Sequence, residues 1–498
     1  PIGTLWHEIW PVYCRKYNLT SWEDNGDGWL SPSDQIDMID ENETIHWYHV
    51  DDIGVDIVIE PKPPCPRVEW TQAFGPIDYF MTFCPSPGVA NLDKDLPLEI
   101  VTGTDEWHGW QKWHCFDGTG AVQWTLPTGC DESRTSVAIG DIDGDGDLEM
   151  AGGCTSGWQT QVFDSAGNFV WTYSSSPYDW WHSSPAMCDI NPTVPGLEVI
   201  AAEYFSGKVY AFSKTGAILW TFQTQGIAND ASPACGDIDG DGVVEVVIGE
   251  VPPNGVPHYI YAINGITGAL EWKHWIQQPS TCSNRQVHSS VALADIDNDG
   301  ITEVIFGAND GGVRCLRGTD GTLKWTYWAI GPVYSSPAVG DVDADGTLEI
   351  IVGSNGGAFG GYIYCLNGIG GVANLEWFYQ TGGAVISSAA LANRGTTPGL
   401  GIYIGSQDGY LYLLDGWGNM IWRFNTGARK GITSSPAVAD IDGDSKLEVM
   451  FTDWNAIEDS LAQTNIFWVL EDCTSRVDPY TTEWPMFRHD RCHTGKYS

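Results

Sequence analysis

"GDVDADGTLEIIVGS", residues 340–354, places carboxylates at every second position, Asp341, Asp343 and Asp345, and adds Glu349 four residues later. In extended chain, side chains two apart point the same way, so the three aspartates face and repel one another. The chain repeats this unfavourable stretch. Aligned on the first acidic position, the copies begin at Asn91, Asp141, Asp189, Asp237, Asp295, Asp341, Asn393 and Asp440, at spacings of 50, 48, 48, 58, 46, 52 and 47 residues. Each copy reads roughly SSPAVGDIDGDG-LEVVVG-loop-VYALNG-TG-LKWTY, four short β-rich runs divided by turn residues.

A period near fifty with four strands per unit predicts an all-β fold, an eight-bladed β-propeller of four-stranded blades. Its repeats start near 85, 135, 183, 231, 289, 335, 387 and 434. Side-chain size orders the strands. The first run ("SSPAV", "SSVAL", "SSAAL") is small, as crowding at a common axis requires. The last carries Trp124, Trp171, Trp220, Trp272, Trp325, Trp377, Trp422 and Trp484, wedges suited to the outer rim between blades. Their regular period favours structural packing over a sugar-stacking surface. Residues 1–66 are expected to form a separate N-terminal module and connector, and 67–498 the propeller.

Of 498 residues, 65 are acidic and 23 are Lys or Arg, a formal charge of -42. Such a field repels phosphate backbones and anionic lipid, which argues against nucleic-acid partners and makes divalent cations the natural counterions. No apolar run approaches the eighteen residues of a membrane span, so direct insertion is not expected. The first residue is Pro1 rather than Met, which suggests a processed, secreted protein. The sequons at Asn18 and Asn42 fit that reading. Among thirteen cysteines, Cys115, Cys315 and Cys365 occupy equivalent strand positions and read as buried small hydrophobes. Cys65 with Cys84, Cys130 with Cys154, and Cys473 with Cys492 are candidate disulfides, although sequence alone does not assign pairing.

The acidic turn D-x-D-x-D-G-x-x-E answers its own repulsion if it holds a cation. It offers side-chain oxygens at positions one, three, five and nine and a carbonyl at seven, a set that suits calcium. Five complete copies are Asp141/Asp143/Asp145/Glu149, Asp237/Asp239/Asp241/Glu245, Asp295/Asp297/Asp299/Glu303, Asp341/Asp343/Asp345/Glu349 and Asp440/Asp442/Asp444/Glu448. The last has Ser445 where the others have Gly. A sixth, Asn91/Asp93/Asp95/Glu99, lacks one charge and has Leu96 at the Gly position. The third copy (Asp189, Asn191, then "PTVPG") and the seventh ("NRGTTPGLG") are expected to hold no ion.

Turns between first and second strands and between third and fourth share one face. The opposite face carries the long loops 104–112, 251–258, 354–361 and 452–465, the better place for recognition. Seven residues before each reference position, at the channel mouth, stand Cys84, Arg134, His182, Asp230, His288, Tyr334, Ile386 and Thr433. Arg134, His182, Asp230, His288 and Tyr334 form a candidate funnel for acid–base work on a glycan or for holding an anion or metal. A polar channel lining without turnover is the alternative.

Three resemblances sharpen this reading. "LNGITGALEW", "LRGTDGTLKW" and "FSKTGAILW" resemble the tryptophan-docking repeat of PQQ-like propellers, and the acidic turns resemble FG-GAP/VCBS repeats of secreted propellers. Together with the tail "EWPMFRHDRCHTG" (483–495), similar to a segment such propellers carry near a terminus, the match covers 85–495. His489 and His493 in that tail read as locking the terminus. By the same resemblance "RVEWTQ" (67–72) would complete the last blade as its outer strand. PQQ-dependent dehydrogenases typically carry a vicinal disulfide, and this chain has no adjacent cysteines. "EDNGDGWLSPSD" (23–34) resembles a single EF-hand or dockerin-type loop, with Glu23, Asn25, Asp27 and Asp34 as calcium ligands and Trp29 offering its carbonyl. "HEIWPVYCRKY" and "SDQIDMI" would be its flanking helices. "HWYHVDDIGVDIVIEP" (46–61) suggests strand pairing.

The functional expectation is an exported, non-catalytic, calcium-stabilised propeller at the cell surface, serving adhesion, matrix or self-assembly. Its partners would be further copies of itself or a surface glycan or protein. The competing expectation is a glycan-active enzyme such as a polysaccharide lyase, an activity that some eight-bladed secreted propellers resembling this one possess.

Overall fold

The computed structural model describes 65–74, 85–104, 111–129, 135–154, 157–175, 181–226, 231–250, 258–276, 287–368, 371–396, 398–428, 430–454, 465–476, 485–487, 489–490 and 493–496, and the backbone of five strands before residue 62. The chain divides into two compact units, Pro1–Arg67 and Val68–Ser498.

In the first unit an antiparallel sheet runs in the order Ile45–His49, Gln35–Ile39, Tyr13–Glu23, Gly3–Ile9, Val58–Pro61. This corrects the two flanking helices expected around the EF-hand-like loop. "HEIWPVYCRKY" and "SDQIDMI" are rich in Ile, Val, Trp and Tyr, residues that fit a pleated surface, and Pro11 separates two strands instead of kinking a helix. Glu23 ends a strand. Asn25, Asp27, Trp29 and Asp34 lie outside the described residues.

The second unit consists of eight four-stranded antiparallel sheets, each a meander from axis to rim. In blade 6, for example, the strands are Ala338–Gly340, Glu349–Asn355, Gly361–Asn367 and Asn374–Thr381. The first two are almost wholly buried, whereas the outermost alternates between exposed and half-buried positions. That gradient follows the change from small residues to Trp. Blade 8 is composite: Ala437–Ala439, Leu447–Thr452 and Asn465–Asp472 are joined at the rim by Arg67–Phe74. The ring therefore closes with a strand from before the first repeat, as the resemblance implied.

Closure is visible again at the axis. Eight serines, each five residues before the reference position, form a circle in which every backbone N–H donates to the next serine's Oγ at 2.9–3.1 Å. Ser86 donates to Ser136, then Ser184, Ser232, Ser290, Ser336, Ser388 and Ser435 follow, and Ser435 donates back to Ser86. Only a small hydroxyl residue both fits this crowded girdle and satisfies the amide that a strand at the axis would otherwise leave unpaired.

At the rim each tryptophan wedges against the following blade. Trp124 Nε1 donates to Ser165 O, Trp220 to Gly265 O, Trp272 to Gly318 O and Trp377 to Gly416 O, at 2.6–2.8 Å. For blade 8 the expected wedge, Trp484, lies outside the described residues. Trp70 fills the position, donating to Gly118 O at 3.1 Å and packing on Phe116 and Phe467. Gly120 turns beneath its ring with φ +86, and an added Cβ would sit 2.7 Å from the indole. The error has a simple source: the composite blade takes its rim strand from the other end of the sequence.

The segment 485–496 crosses the axis. Val438 N–H donates to Pro485 O, Cys235 N–H to Thr494 O and Leu293 N–H to Gly495 O, each at 2.8 Å. These partners lie on the first strands of blades 8, 4 and 5. His493 Nδ1 is 3.2 Å from Pro185 O in blade 3, so His493 does fasten the tail. Cys188 and Cys235, on neighbouring first strands, form a disulfide that the sequence reading did not anticipate. Cys65, Cys154 and Cys473 are also disulfide-bonded, to partners outside the described residues. Cys115, Cys315 and Cys365 are free and buried, as expected.

Candidate metal centres and channel pocket

Each acidic corner is built before any ion is considered. The glutamate at position nine (ten in blade 3, whose turn is one residue longer) lies at the start of the second strand, where strand alternation turns it inward: Glu99, Glu149, Glu198, Glu245, Glu303, Glu349 and Glu448 are all buried. In every one, Oε2 accepts the N–H of the residue after the reference position, at 2.6–3.1 Å. The loop between them folds back through left-handed residues. Position four has positive φ at Lys94, Gly144, Gly240, Asn298, Ala344 and Gly443, and position six at Gly146, Gly242, Gly300, Gly346 and Ser445. That second turn aims the position-six N–H at the first aspartate, which accepts it at 2.9–3.1 Å in Asp141, Asp237, Asp295, Asp341 and Asp440. Leu96 does not adopt positive φ, so corner 1 lacks this second turn, consistent with its being the reduced copy.

The result is a set of carboxylates held close together. Ligand atoms fall within 4.8 Å of one another in Asp93/Asp95/Glu99, Asp141/Asp143/Glu149, Asp237/Asp239/Asp241, Asp295/Asp297/Asp299 and Asp341/Asp343/Glu349. These groups are smaller than the four-acid sets expected from sequence. Asp145 and Asp345 are the expected position-five ligands of corners 2 and 6. Both are exposed, and their Oδ1 atoms accept the N–H of Asp147 and Thr347 at 2.8 Å, closing the turn. Glu245 and Glu303 stand outside the close groups of corners 4 and 5.

Corner 8, with the expected set Asp440/Asp442/Asp444/Glu448, has the same doubly turned loop. Asp442 Oδ1 accepts the Asp444 N–H at 3.0 Å. Asp444 is engaged by Lys446, whose N–H donates to Oδ1 at 2.8 Å and whose Nζ lies 2.9 Å from Oδ2. The Asp442 bond recurs at Asp143, Asp239 and Asp343, and the Asp444 backbone bond at Asp241 and Asp299, so what sets corner 8 apart is the lysine beside Asp444. These backbone bonds come from the loop. Alternation aims every second side chain the same way only in extended chain, and the left-handed residues at positions four and six break it.

Burial, reinforced by neighbouring aspartates, pushes the glutamates up, to about 7 in Glu149, about 8 in Glu245 and Glu349, and about 9 in Glu448. Glu245 Oε1 and Asp297 Oδ1 are buried without a hydrogen-bond partner. A hard cation with oxygen ligands fits this donor set: at corner 4 it would satisfy the orphaned Glu245 oxygen and neutralise the crowded charge.

The two corners expected to hold no ion are built differently. In blade 3, Thr193 caps Asn191 and the loop runs through Pro192 and Pro195, while Glu198 keeps its backbone bond. In blade 7 the acids are replaced by a buried knot. Arg394 Nε donates to Asp472 Oδ2 at 3.1 Å, and the same carboxylate accepts Tyr403 Oη at 2.7 Å and Trp422 Nε1 at 3.0 Å. An ion pair thus ties blade 7 to blade 8 where other corners carry aspartates. The lone arginine in "NRGTTPGLG" was the available signal.

On the opposite face, His182, His288, Tyr334, Ile386 and Thr433 line one cavity of about 110 Å³ with the serine girdle. Arg134, Asp230 and Cys84 lie outside the described residues. His182 packs on Tyr204 with ring centroids 4.4 Å apart, and His288 on Tyr334 at 5.5 Å. Phe487, from the axial segment, also lines the cavity, a residue the sequence reading assigned only to the tail.

A family model described as FG-GAP-like repeat matches residues 295–352. No curated protein matches the chain. Among solved structures, a europium-containing methanol dehydrogenase is 13% identical with a TM-score of 0.54, covering 81% of this chain and 93% of that one. A quinohemoprotein alcohol dehydrogenase from Comamonas testosteroni is 13% identical with a TM-score of 0.53, covering 82% and 77%. BamB from Moraxella catarrhalis is 17% identical with a TM-score of 0.48, covering 77% and 96%. The repeat match and the two dehydrogenase folds support a β-propeller repeat family. At such identities the likeness concerns fold alone.

Proposed function

We infer that this chain is an exported, non-catalytic propeller stabilised by calcium at its acidic corners, with a structural or binding role at the cell surface. The supporting observation is the corner itself: buried glutamates raised by desolvation, in preformed loops, with a carboxylate oxygen at Glu245 that no protein group satisfies. Calcium would supply the missing positive charge, and the clustered aspartates of each corner would share it. The acidic surface and the long loops on the far face suit a protein that binds or assembles.

The test is calcium content and thermal unfolding of the purified full chain, before and after chelation. Several ions per chain and a large loss of thermal stability on chelation are expected. A metal-free protein indifferent to chelator removes the reading. Sedimentation and electron microscopy in the same two conditions address self-assembly, and a monodisperse monomer in both excludes it.

The pocket containing His182, His288 and Tyr334 favours one second reading, a glycan-active enzyme. A panel of acidic polysaccharides decides it, with His182→Ala and Tyr334→Phe as controls. Turnover unchanged in both variants would clear these residues of a catalytic role.

A further inference from the structure

The third and fourth strands of seven blades slip register by one residue, always immediately before the rim tryptophan. The bulged residue is left unpaired, and a bulge re-aims its side chain. These residues are Gln123, Val170, Leu219, Glu271, Lys324, Glu376 and Ile421. Because the third-to-fourth turn shares a face with the acidic turn, the bulge brings this side chain beside the corner. Glu271 and Glu376 reach far enough to raise Glu245 and Glu349.

In blade 5 the residue is a lysine. Its Nζ lies 2.6 Å from Asp297, 2.9 Å from Glu303 and 3.6 Å from Asp299, and its side chain is only 9% exposed. Three of the four acidic side chains expected to ligate calcium at this corner therefore surround an ammonium group. We propose that corner 5 is closed by its own Lys324 in place of a metal ion. This rests on the reading of the other corners as calcium sites and corrects the expectation for Asp295, Asp297, Asp299 and Glu303.

The argument is one of charge and room. An ammonium on a strand of the same sheet is present at a fixed, high local concentration and is never diluted away. For a divalent ion to enter, the lysine must withdraw from three carboxylates, yet its stem is packed and the ion would repel it. Lys446 at corner 8 is a weaker case, since it is 34% exposed and meets only Asp444 among the expected ligands there. Corner 5 keeps the shared architecture, since Ile296 N–H still donates to Glu303 and Gly300 N–H to Asp295. Only the source of positive charge changes. Blade 7 uses the same substitution in a further form, with Arg394 supplying the cation to Asp472.

The test is calcium per chain in the calcium-saturated full-length protein, for wild type, Asp239→Asn and Lys324→Gln. Gln is chosen because Gln123 holds the equivalent bulge beside corner 1. Asp239→Asn should lose one ion, and Lys324→Gln should gain one. A loss in Asp239→Asn with no gain in Lys324→Gln overturns this inference alone. No calcium in any of the three overturns the corner reading, and this inference with it. Should Lys324→Gln not fold, calcium anomalous scattering from wild-type crystals serves instead: peaks at corners 2, 4 and 6 with none at corner 5 support the proposal, and a peak at corner 5 refutes it.

Discussion

Replacing Trp70 by Ala tests how the ring is held shut. The indole is half-buried between blades 8 and 1, with ring centroids 5.5 Å from Phe116 and 5.7 Å from Phe467, and its N–H is bonded to Gly118. Removing about 100 Å² of apolar contact costs roughly 2.5 kcal/mol at about 25 cal/mol per Å². The lost hydrogen bond adds about 1 kcal/mol, giving a total near 3–4 kcal/mol, close to the cost of truncating a large aromatic in a core. Trp124→Ala removes an equivalent wedge from blade 1, yet blades 1 and 2 stay joined by the chain. Blade 8 receives its rim strand, Arg67–Phe74, only by pairing and packing. Urea unfolding with calcium present should show a similar loss for both variants. Hydrogen exchange should separate them. In Trp70→Ala, amides of Arg67–Phe74 and Asn465–Asp472 should exchange first, through opening of the ring. Trp275→Ala, at a rim residue 50% exposed, should cost under about 0.5 kcal/mol. The reasoning fails if Trp70→Ala costs less than about 1 kcal/mol or leaves protection of those two strands unchanged.

Asp472→Ala should strand the buried guanidinium of Arg394 and cost about 3–5 kcal/mol in urea unfolding; a loss below about 1 kcal/mol would mean the knot is not structural. Glu271→Gln should weaken calcium binding at corner 4 about tenfold in titration calorimetry, since it removes a full charge beside Glu245. Equal affinity would show that the bulge residue does not tune its corner. Burial among Phe74 and Phe116 pushes the His114 imidazole down to about 4, so the folded chain keeps it neutral. The stability from this group is full above pH 6.5 and is lost as pH falls towards 4, by up to roughly 3 kcal/mol. His114→Gln should flatten that part of the acid profile in calcium-saturated protein; an unchanged slope would contradict the assignment.

The architecture was legible because repetition multiplies weak signals. A single D-x-D-x-D-G is a motif, whereas copies at spacings of 46 to 58 residues with small first strands and a terminal Trp admit few folds. The ligand sets were legible only in part, because the same motif that marks the corner also bends it. At Asp145, Asp241, Asp299, Asp345 and Asp444 alike the turn gives one oxygen to a backbone N–H two residues on, a bond that spacing alone does not announce. What else escaped the sequence depended on contacts between repeats. Cys188 lies one residue before Asp189 and Cys235 two before Asp237, so alternation turns the two thiols to opposite faces of adjacent strands, where they meet. Trp484 was expected as the blade 8 wedge, where Trp70 stands, because that blade is assembled from both ends of the chain. The role of Lys324 was hidden for a third reason. Its neighbours in sequence read as an ordinary exposed rim strand, and its place at the corner shows only in the bulge together with its ion pairs to Asp297 and Glu303.

These corners also explain how so acidic a chain sustains a closed ring. A ring transmits geometry, since each blade must present the same width to its neighbours, and the serine girdle fixes that width at the axis. At the corner, geometry requires only that the turn be held and that any buried carboxylate there be answered, whether a corner glutamate or, in blade 7, Asp472. The identity of the answering cation is free. On the proposed reading, metal at several corners, Lys324 in blade 5 and the Arg394–Asp472 pair in blade 7 satisfy one requirement by different means, so the corners should differ in their response to calcium while the blades remain alike. Chelation would then loosen the propeller unevenly, sparing the corners of blades 3, 5 and 7. Uniform loss of amide protection around all eight blades at limiting chelator would mean instead that the ring melts as a unit and that side-chain cations give no local protection.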